Sequence, residues 1–435
     1  MMTWNEIRSE LLREHYYTGV HKSGLPIYVF PKKLTSVYAL FATRYGSVDT
    51  CLPLPNGGEI ALPEGTAHFL EHKLFENADG SDAFAKFSKY GADANAYTTY
   101  NRTAYLFSCT DRVSESLREL LSFVTSPYFT EQTVQKEQGI IAEEIRMGRD
   151  DPWDRCYGNM LLGLYEKNPV RQEVCGTEES IARITPELLY ECCRVFYHPS
   201  NMALVICGDV STSLVEEAAD AVLSEYVPAK RPIRREVLEP KEAYRARLTD
   251  AMQVAKPLFA IGFKDPVIPQ SPAERLRRDA AMTMLDEILF SRSGDFYNRL
   301  FEEGLITPSF DAGYSASDTF AFNGIFGESE DPEEVLSRLT EYLEEVRQKG
   351  IDRADLERCR NALYADEIRA YDSTDEIANR LLSFVFDDAE MFSYPTLLQE
   401  ITVEELQELL CSVYREEYRT LSVILPSDRA DLVRE

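Results

Sequence analysis

Two histidines four residues apart, with a glutamate beside the second, are the residues in this chain best suited to chemistry. The run LPEGTAHFLEHKLFEN, residues 62–77, sets His68, Glu71 and His72 among Leu, Phe and Ala at helical spacing. Glu64 or Thr66 can start the helix. Residues four apart share a helix face, so the two imidazoles stand side by side, as a tetrahedral zinc site requires. Glu71, three after His68, lies on the same side, where a carboxylate can act as general base on water near a metal. The order HxxEH is the reverse of HExxH and a motif class of its own. The other histidines are His15, His21 and His198. With so few, the pattern should arise by chance in well under ~1% of chains this long. The competing reading is a polar helix face with two solvated histidines.

A catalytic zinc wants a third protein ligand and an open position. No further histidine is near, so the ligand must be a carboxylate. Glu76 follows His72 by four, but at 1.5 Å per residue it lies about 12 Å along the axis from His68, too far to converge on one ion. A second helix must therefore supply the ligand. TEQTVQKEQGIIAEEIRMGRDDP, residues 130–152, offers one, with Thr130 as cap and Val134, Ile140, Ile141 and Ile145 as its apolar stripe. Glu137 and Glu144 lie two turns apart beside that stripe, where carboxylates are costly unless paired or metal-bound. Spacing alone does not separate Glu144 from Glu143.

The elements that position these residues come in two copies. ITPELLYECCRVFYHPSNMALVICGD from Ile184 aligns without a gap with ITVEELQELLCSVYREEYRTLSVILPSD from Ile401, an offset of 217 residues. Thr185 matches Thr402, Glu187 matches Glu404, Tyr197 matches Tyr414 and Leu204 matches Leu421. Each copy reads as a Thr-capped amphipathic helix, a short turn and an apolar strand. LPIYVFPKKLTSVYALFATRYGS near residue 25 predicts strand, turn and strand, and KPLFAIGFKDP near residue 256 a similar strand leading into helices. Between them Val227 to Arg245, rich in Pro and basic residues, reads as a linker. A gapless register over more than twenty residues points to duplication. The expected fold is α+β: two homologous α/β-roll halves, each an antiparallel-rich sheet with helices on one side. The domains expected are 1–226 with the metal residues, the linker 227–245, and 246–435. No histidine follows His198, so the last domain carries no second site of this kind.

Composition sets the wider bounds. At 435 residues the chain exceeds one compact core. Its 44% hydrophobic and 28% charged residues are those of a soluble globular protein. The 74 acidic against 46 basic residues give a net charge of −28, which excludes the basic footprint that nucleic acid needs. That charge would steer basic peptides, or simply keep the surface solvated. Nine scattered cysteines without a CxxC pair read as reduced thiols, Cys192 and Cys193 being apolar fillers in a helix. The start MMTWNEIRSELLREHYY lacks the form of a secretory signal, and no run approaches a membrane span of ~18 apolar residues. The expectation is a cytoplasmic protein, without membrane or nucleic-acid partners.

HFLEH followed about seventy residues later by Glu-x6-Glu in a long helix resembles the inverted-zincin peptidases, the family of pitrilysin, insulin-degrading enzyme and the mitochondrial processing peptidase. The likeness covers nearly the whole chain. AHFLEHKLFE, DANAYTTYNRTAYLFS, KEQGIIAEEIRMGRDDPWD and YHPSNMALVICGDV look most like the small bacterial members that carry the motif. The resemblance implies a zinc metalloendopeptidase with His68, His72 and Glu144 as ligands and Glu71 as catalytic base. It makes Glu137 a supporting carboxylate, and puts Asn95 and Ala96 on an edge strand that pairs with substrate backbone. That fits ANAYTTYNRTAYLFS, a Tyr- and Thr-rich strand suited to β-augmentation. The family often places an Arg and a Tyr seven apart in the second half. Here Arg299 is followed seven residues later by Ile306, leaving Tyr314, eight further on, as a substitute. Both would bind substrate. His198 reads as structural. The halves would close as a clamshell on peptides or unfolded segments. The resemblance also implies a homodimer, or a heterodimer with a motif-less homologue. It leaves room for a non-degradative maturation subunit associated with modification of an elongation factor.

Overall fold

The computed structural model describes residues 2–53, 58–77, 80–235 and 237–433. The strands are β1 (Asn5–Ser9), β2 (Glu14–Val20), β3 (Pro26–Pro31), β4 (Val37–Thr43), β5 (Cys51–Pro53), β6 (Glu59–Ala61), β7 (Asp93–Thr98), β8 (Thr103–Cys109) and β9 (Met202–Gly208). Later in the chain come β10 (Arg247–Met252), β11 (Leu258–Lys264), β12 (Asp311–Ala316), β13 (Ala321–Glu328) and β14 (Arg419–Pro426). The helices of the first half are α1 (Thr66–Leu74), α2 (Ala83–Tyr90), α3 (Val113–Thr125), α4 (Glu131–Arg149), α5 (Pro152–Leu164), α6 (Glu178–Ile181), α7 (Pro186–Phe196) and α8 (Thr212–Leu223). Those of the second are α9 (Pro272–Phe290), α10 (Asp295–Glu302), α11 (Pro332–Lys349), α12 (Arg353–Ala370), α13 (Thr374–Phe386), α14 (Tyr394–Glu400) and α15 (Val403–Val413).

The two aligned runs fold alike. Thr185 caps α7, its side chain accepting from the Leu188 N–H, and Thr402 caps α15 by accepting from Glu405. Each helix then leads into a fully or nearly fully buried strand, β9 or β14. The α+β class with two homologous halves holds. DANAYTTYNRTAYLFS, expected as one strand, is a hairpin: β7 and β8 pair antiparallel, with Thr98 opposite Thr103. Asn101 and Arg102 lie in the turn between them, which the β-rich composition of the run masked.

By internal contacts the chain divides into two compact units that do not follow its linear halves. The first takes the chain to Ile145, Glu173–Arg235 and Ile368–Phe392; the second takes Arg146–Gln172, Glu236–Glu367 and the chain from Ser393. Each half thus lends a helix to the other half's unit: α5 belongs to the second unit, α13 to the first.

The first unit is built on a seven-stranded sheet in the order β1-β2-β3-β9-β4-β8-β7, antiparallel except where β3 meets β9. Side chains alternate across a strand, and both faces here are apolar. Ala39, Phe41, Leu204 and Ile206 point into the main core with α1, α2, α3, α7 and α8, as shown by Phe69, Phe87, Leu120, Leu189 and Val215 in the same cluster. Leu40, Ala42, Ala203, Val205 and Cys207 point the other way, onto Ile377, Leu381, Leu382 and Phe386 of α13. The sheet is therefore covered on both sides, where helices were expected on one.

The second unit has a five-stranded sheet, β10-β14-β11-β13-β12, with β10 and β14 parallel. Its core packs Phe259, Ile261 and Val423 against Leu285, Leu339 and Leu410 of α9, α11 and α15. Helix α5 lies close on this sheet: a Cβ added at Gly163 would stand 2.2 Å from Thr420 Oγ1. The segment expected as linker has no regular structure, yet some of its described residues are tied down. Arg234 clamps Asp49 at 2.8 and 3.1 Å within the first unit. Glu239 accepts from the N–H groups of Glu166, Lys167 and Asn168, each at 2.8 Å, within the second.

Candidate metal centre

Helix α1 starts at a left-handed residue, Gly65, with φ 85° and ψ −3°. Thr66 is its first residue, donating its hydroxyl to Pro63 O at 2.6 Å. A Cβ at Gly65 would lie 2.4 Å from the Cys175 carbonyl oxygen, so only glycine lets the two backbones approach. Ser180 Oγ donates to Glu64 O at 2.8 Å, fixing the same junction. Ala67, Phe69, Leu70 and Leu74 are buried in the main core, and the ring centroids of His68 and His72 stand 4.6 Å apart. The fully buried Lys73 pairs with Glu76, which is thereby occupied away from the histidines.

Helix α4 brings the carboxylates. Thr130 caps it, accepting from Thr133 N–H at 3.2 Å. Val134, Ile141 and Ile145 are buried, but Ile140 is 47% exposed. Ile140 shares a face with Glu137 and Glu144, three before it and four after, so it borders the site instead of the core. Glu144 bridges both imidazoles: His68 Nε2 is 3.4 Å from Oε1 and His72 Nε2 is 3.5 Å from Oε2. Ligand atoms about 2.0–2.1 Å from a tetrahedral zinc stand about 3.3–3.4 Å apart, close to each nitrogen–oxygen separation, with His68 meeting one carboxylate oxygen and His72 the other. The three donor atoms lie within 4.8 Å of one another, and His68, His72 and Glu144 alone do so among the described residues. Glu137 Oε1 holds His72 Nδ1 at 3.1 Å, which orients the ring with Nε2 towards the donor set. His68 Nδ1 is buried and meets no hydrogen-bond partner among the described residues.

Two neighbours had no sequence signal, because their contacts span long chain separations. Cys175 Sγ is 3.9 Å from His68 Nε2. Thr98 Oγ1 donates to Glu71 Oε2 at 2.5 Å. Burial works against charge on His68, but Cys175, Glu144 and Glu71 outweigh it and push its pKa up to about 10. The hydrogen bond from His68 holds Glu144 below its ordinary value, against the effect of burial. Both shifts favour the charged pair, so a cation held here would compete with the His68 proton.

Asn95 and Ala96 lie on β7, the edge strand of the seven-stranded sheet. The Ala96 N–H is bonded to Asn95 Oδ1 at 2.8 Å. Arg299 and Tyr314 fall in the second unit. Arg299, on α10, pairs with Glu345 at 3.2 Å and Asp295 at 3.5 Å. Tyr314, on edge strand β12, donates to Asp265 at 2.8 Å, and Arg278 clamps the same carboxylate at 2.7 Å twice. Both side chains are engaged within their own unit. His198 caps a short turn, its Nδ1 accepting from Ser200 N–H at 3.2 Å, and its ring meets Tyr226 edge-on.

Known proteins decide the family. The insulinase (peptidase family M16) model matches residues 61–178, which hold all five residues of the α1–α4 cluster, and the M16 inactive-domain model matches 183–363. The zinc protease YmfH of Bacillus subtilis, named as uncharacterized, is 37% identical over 425 residues, covering 97% of this chain and 99% of that protein. This chain belongs to the M16 peptidase family. An M16-like peptidase structure from Alicyclobacillus acidocaldarius superposes with a TM-score of 0.92 at 33% identity, over 97% of this chain and all of that one. Pitrilysin shares the M16 fold at a TM-score of 0.77 and 15% identity, this chain spanning 47% of its length. Relatives named as zinc proteases support a peptidase role for this M16 chain. No helix among the described residues is long and apolar enough to cross a membrane.

Proposed function

We propose that this protein is a zinc-dependent endopeptidase acting on extended or unfolded peptide segments. The observation that carries the reading is the convergence of His68 Nε2, His72 Nε2 and Glu144 on one point, with Glu71 on the same helix outside the donor set. Those three side chains would hold zinc, which supplies Lewis acidity to lower the pKa of water and polarise the scissile carbonyl. Glu71 takes the proton of the attacking water and passes it to the leaving amine. Glu137 keeps the His72 ring oriented by its bond to Nδ1. The open edge of β7 can pair with the backbone of an extended peptide, which favours unfolded segments over folded substrates. Asn95 must then release the Ala96 N–H that it now holds.

The test is Glu71→Gln, an isosteric change that removes the base. The variant should bind one zinc per chain like wild type and hydrolyse a mixed-sequence peptide set about 10²–10⁴-fold more slowly. A chelator should abolish wild-type cleavage, and zinc should restore it. Full activity in the zinc-loaded variant would sink the assignment, as would wild-type cleavage that survives complete metal removal.

A further inference from the structure

Three threonines stand in register across three strands of the first unit. Thr98 on β7 faces Thr103 on β8, and Thr103 faces Thr43 on β4. A hydroxyl has one hydrogen to give, and the inner two give theirs to main-chain carbonyls. Thr43 donates to Phe196 O at 2.5 Å and Thr103 to Tyr45 O at 2.9 Å. Thr103, its hydrogen given to Tyr45 O, can only accept from Thr98, and at 3.3 Å it is the farther acceptor. The Thr98 hydrogen goes outward to the nearer, charged acceptor, Glu71 Oε2 at 2.5 Å.

We propose that Thr98 is the positioning residue for Glu71, a role that rests on reading Glu71 as the base. A glutamate carboxylate hangs on three rotatable bonds, and a base must meet its proton at roughly 2.6–3.2 Å. Fixing Oε2 stops that rotation and leaves Oε1 to face the water. The anchor is also well placed. Thr98 ends the strand whose free edge would take the peptide, so the base and the docking strand are held to each other. Thr103 and Thr43 are fully buried, so the row behind the anchor is rigid.

The test compares Thr98→Val, which keeps shape and removes the hydroxyl, with Thr98→Ser, which keeps the hydroxyl. Crystal structures of the zinc-loaded proteins should show the Glu71 carboxylate moved by about 1 Å or more in Thr98→Val and unmoved in Thr98→Ser. In peptide hydrolysis, Thr98→Val should lower kcat about tenfold, equivalent to one hydrogen bond, with KM within about twofold and zinc content unchanged. Thr98→Ser should stay within about threefold of wild type. An unmoved Glu71 in Thr98→Val overturns the proposal, as does wild-type kcat or an equal loss in both variants. If Glu71→Gln proves fully active, the reading of Glu71 as base fails, while the crystal structures still decide whether Thr98 fixes it.

Discussion

His68 and Glu144 show how the side chains of a candidate metal site can be held ready for an ion. With both charged, the carboxylate bridges two imidazole nitrogens at 3.4 and 3.5 Å, about the ligand spacing of a zinc ion. The sign of the resulting pH dependence follows from the folded pKa of His68, about 10 against an ordinary 6.5. Below about 10 the empty site carries a proton on His68, so zinc competes with it and binds more tightly as pH rises towards that value. Zinc titrated into chelator-stripped protein at pH 7.5 should release close to one proton from this residue, read with an indicator dye in weak buffer. Glu144→Gln, which removes one of the groups that, after Cys175, hold the proton, should shrink the release and weaken binding together. Uptake without proton release would mean that His68 is already neutral in the empty site. Most of this centre was legible from residue spacing: HxxEH placed the two imidazoles, and helix rise removed Glu76, which the structure pairs with Lys73. The choice of Glu144 over Glu143 needed the family likeness. Cys175 and Thr98 had no local signal, because chain folding and not periodicity brings them to His68 and Glu71.

At the scale of elements, the centre depends on where α1 begins. Its helix has no side-chain cap, and the residue before it is a left-handed glycine pressed against the Cys175 carbonyl. Gly65→Ala adds a methyl where a backbone oxygen lies 2.4 Å away and at a φ of 85° that side chains rarely adopt. Strain of that kind costs about 1–3 kcal/mol, before the clash is counted. The variant should melt several degrees lower and, because α1 must shift away from 175–176, hold zinc less tightly. Gly91→Ala provides the comparison: its φ is 71°, but nothing lies within 4 Å, so it should lose stability and keep zinc affinity. Equal zinc affinity in Gly65→Ala and wild type would show that the Gly65 contact does not set the histidines. The sequence revealed the helix through its apolar spacing and offered Thr66, its first residue, as one of two starts, but did not point to the glycine before it. A glycine cap is set by a neighbour 110 residues away, which helix-capping chemistry does not announce. The β7–β8 turn was hidden too, since its residues 99–102, TYNR, hold neither glycine nor proline.

For the whole molecule, the exchange of α5 and α13 decides what can fold. Periodicity predicts that α13 is amphipathic, with Ile377, Leu381, Leu382 and Phe386 on one face, but not which sheet that face will cover. The structure gives it to the first unit, where it meets Leu40, Ala203, Val205 and Cys207 on the sheet's second face. A chain cut at the linear boundary, residues 1–226, would bare that face. It would lose Ile377, Leu381, Leu382, Val385, Phe386, Met391 and Phe392, all buried in this cluster. At about 1.5–3 kcal/mol each their burial is comparable to the whole stability of a domain, about 5–15 kcal/mol. Residues 1–226 should therefore self-associate on a sizing column and bind a hydrophobic dye, although every residue of the metal cluster is present. Supplying 368–392, either fused through a flexible tether or added as a peptide, should reduce that association and the dye binding and let the fragment bind one zinc, although α5 still lacks the second-unit sheet it packs on. A soluble, cooperatively folded 1–226 fragment would show that α13 is dispensable to its sheet. Rescue by the peptide would show that the unit holding the candidate site is completed by a helix that begins at Thr374, about 300 residues after His72, which no reading of the first half by itself could supply.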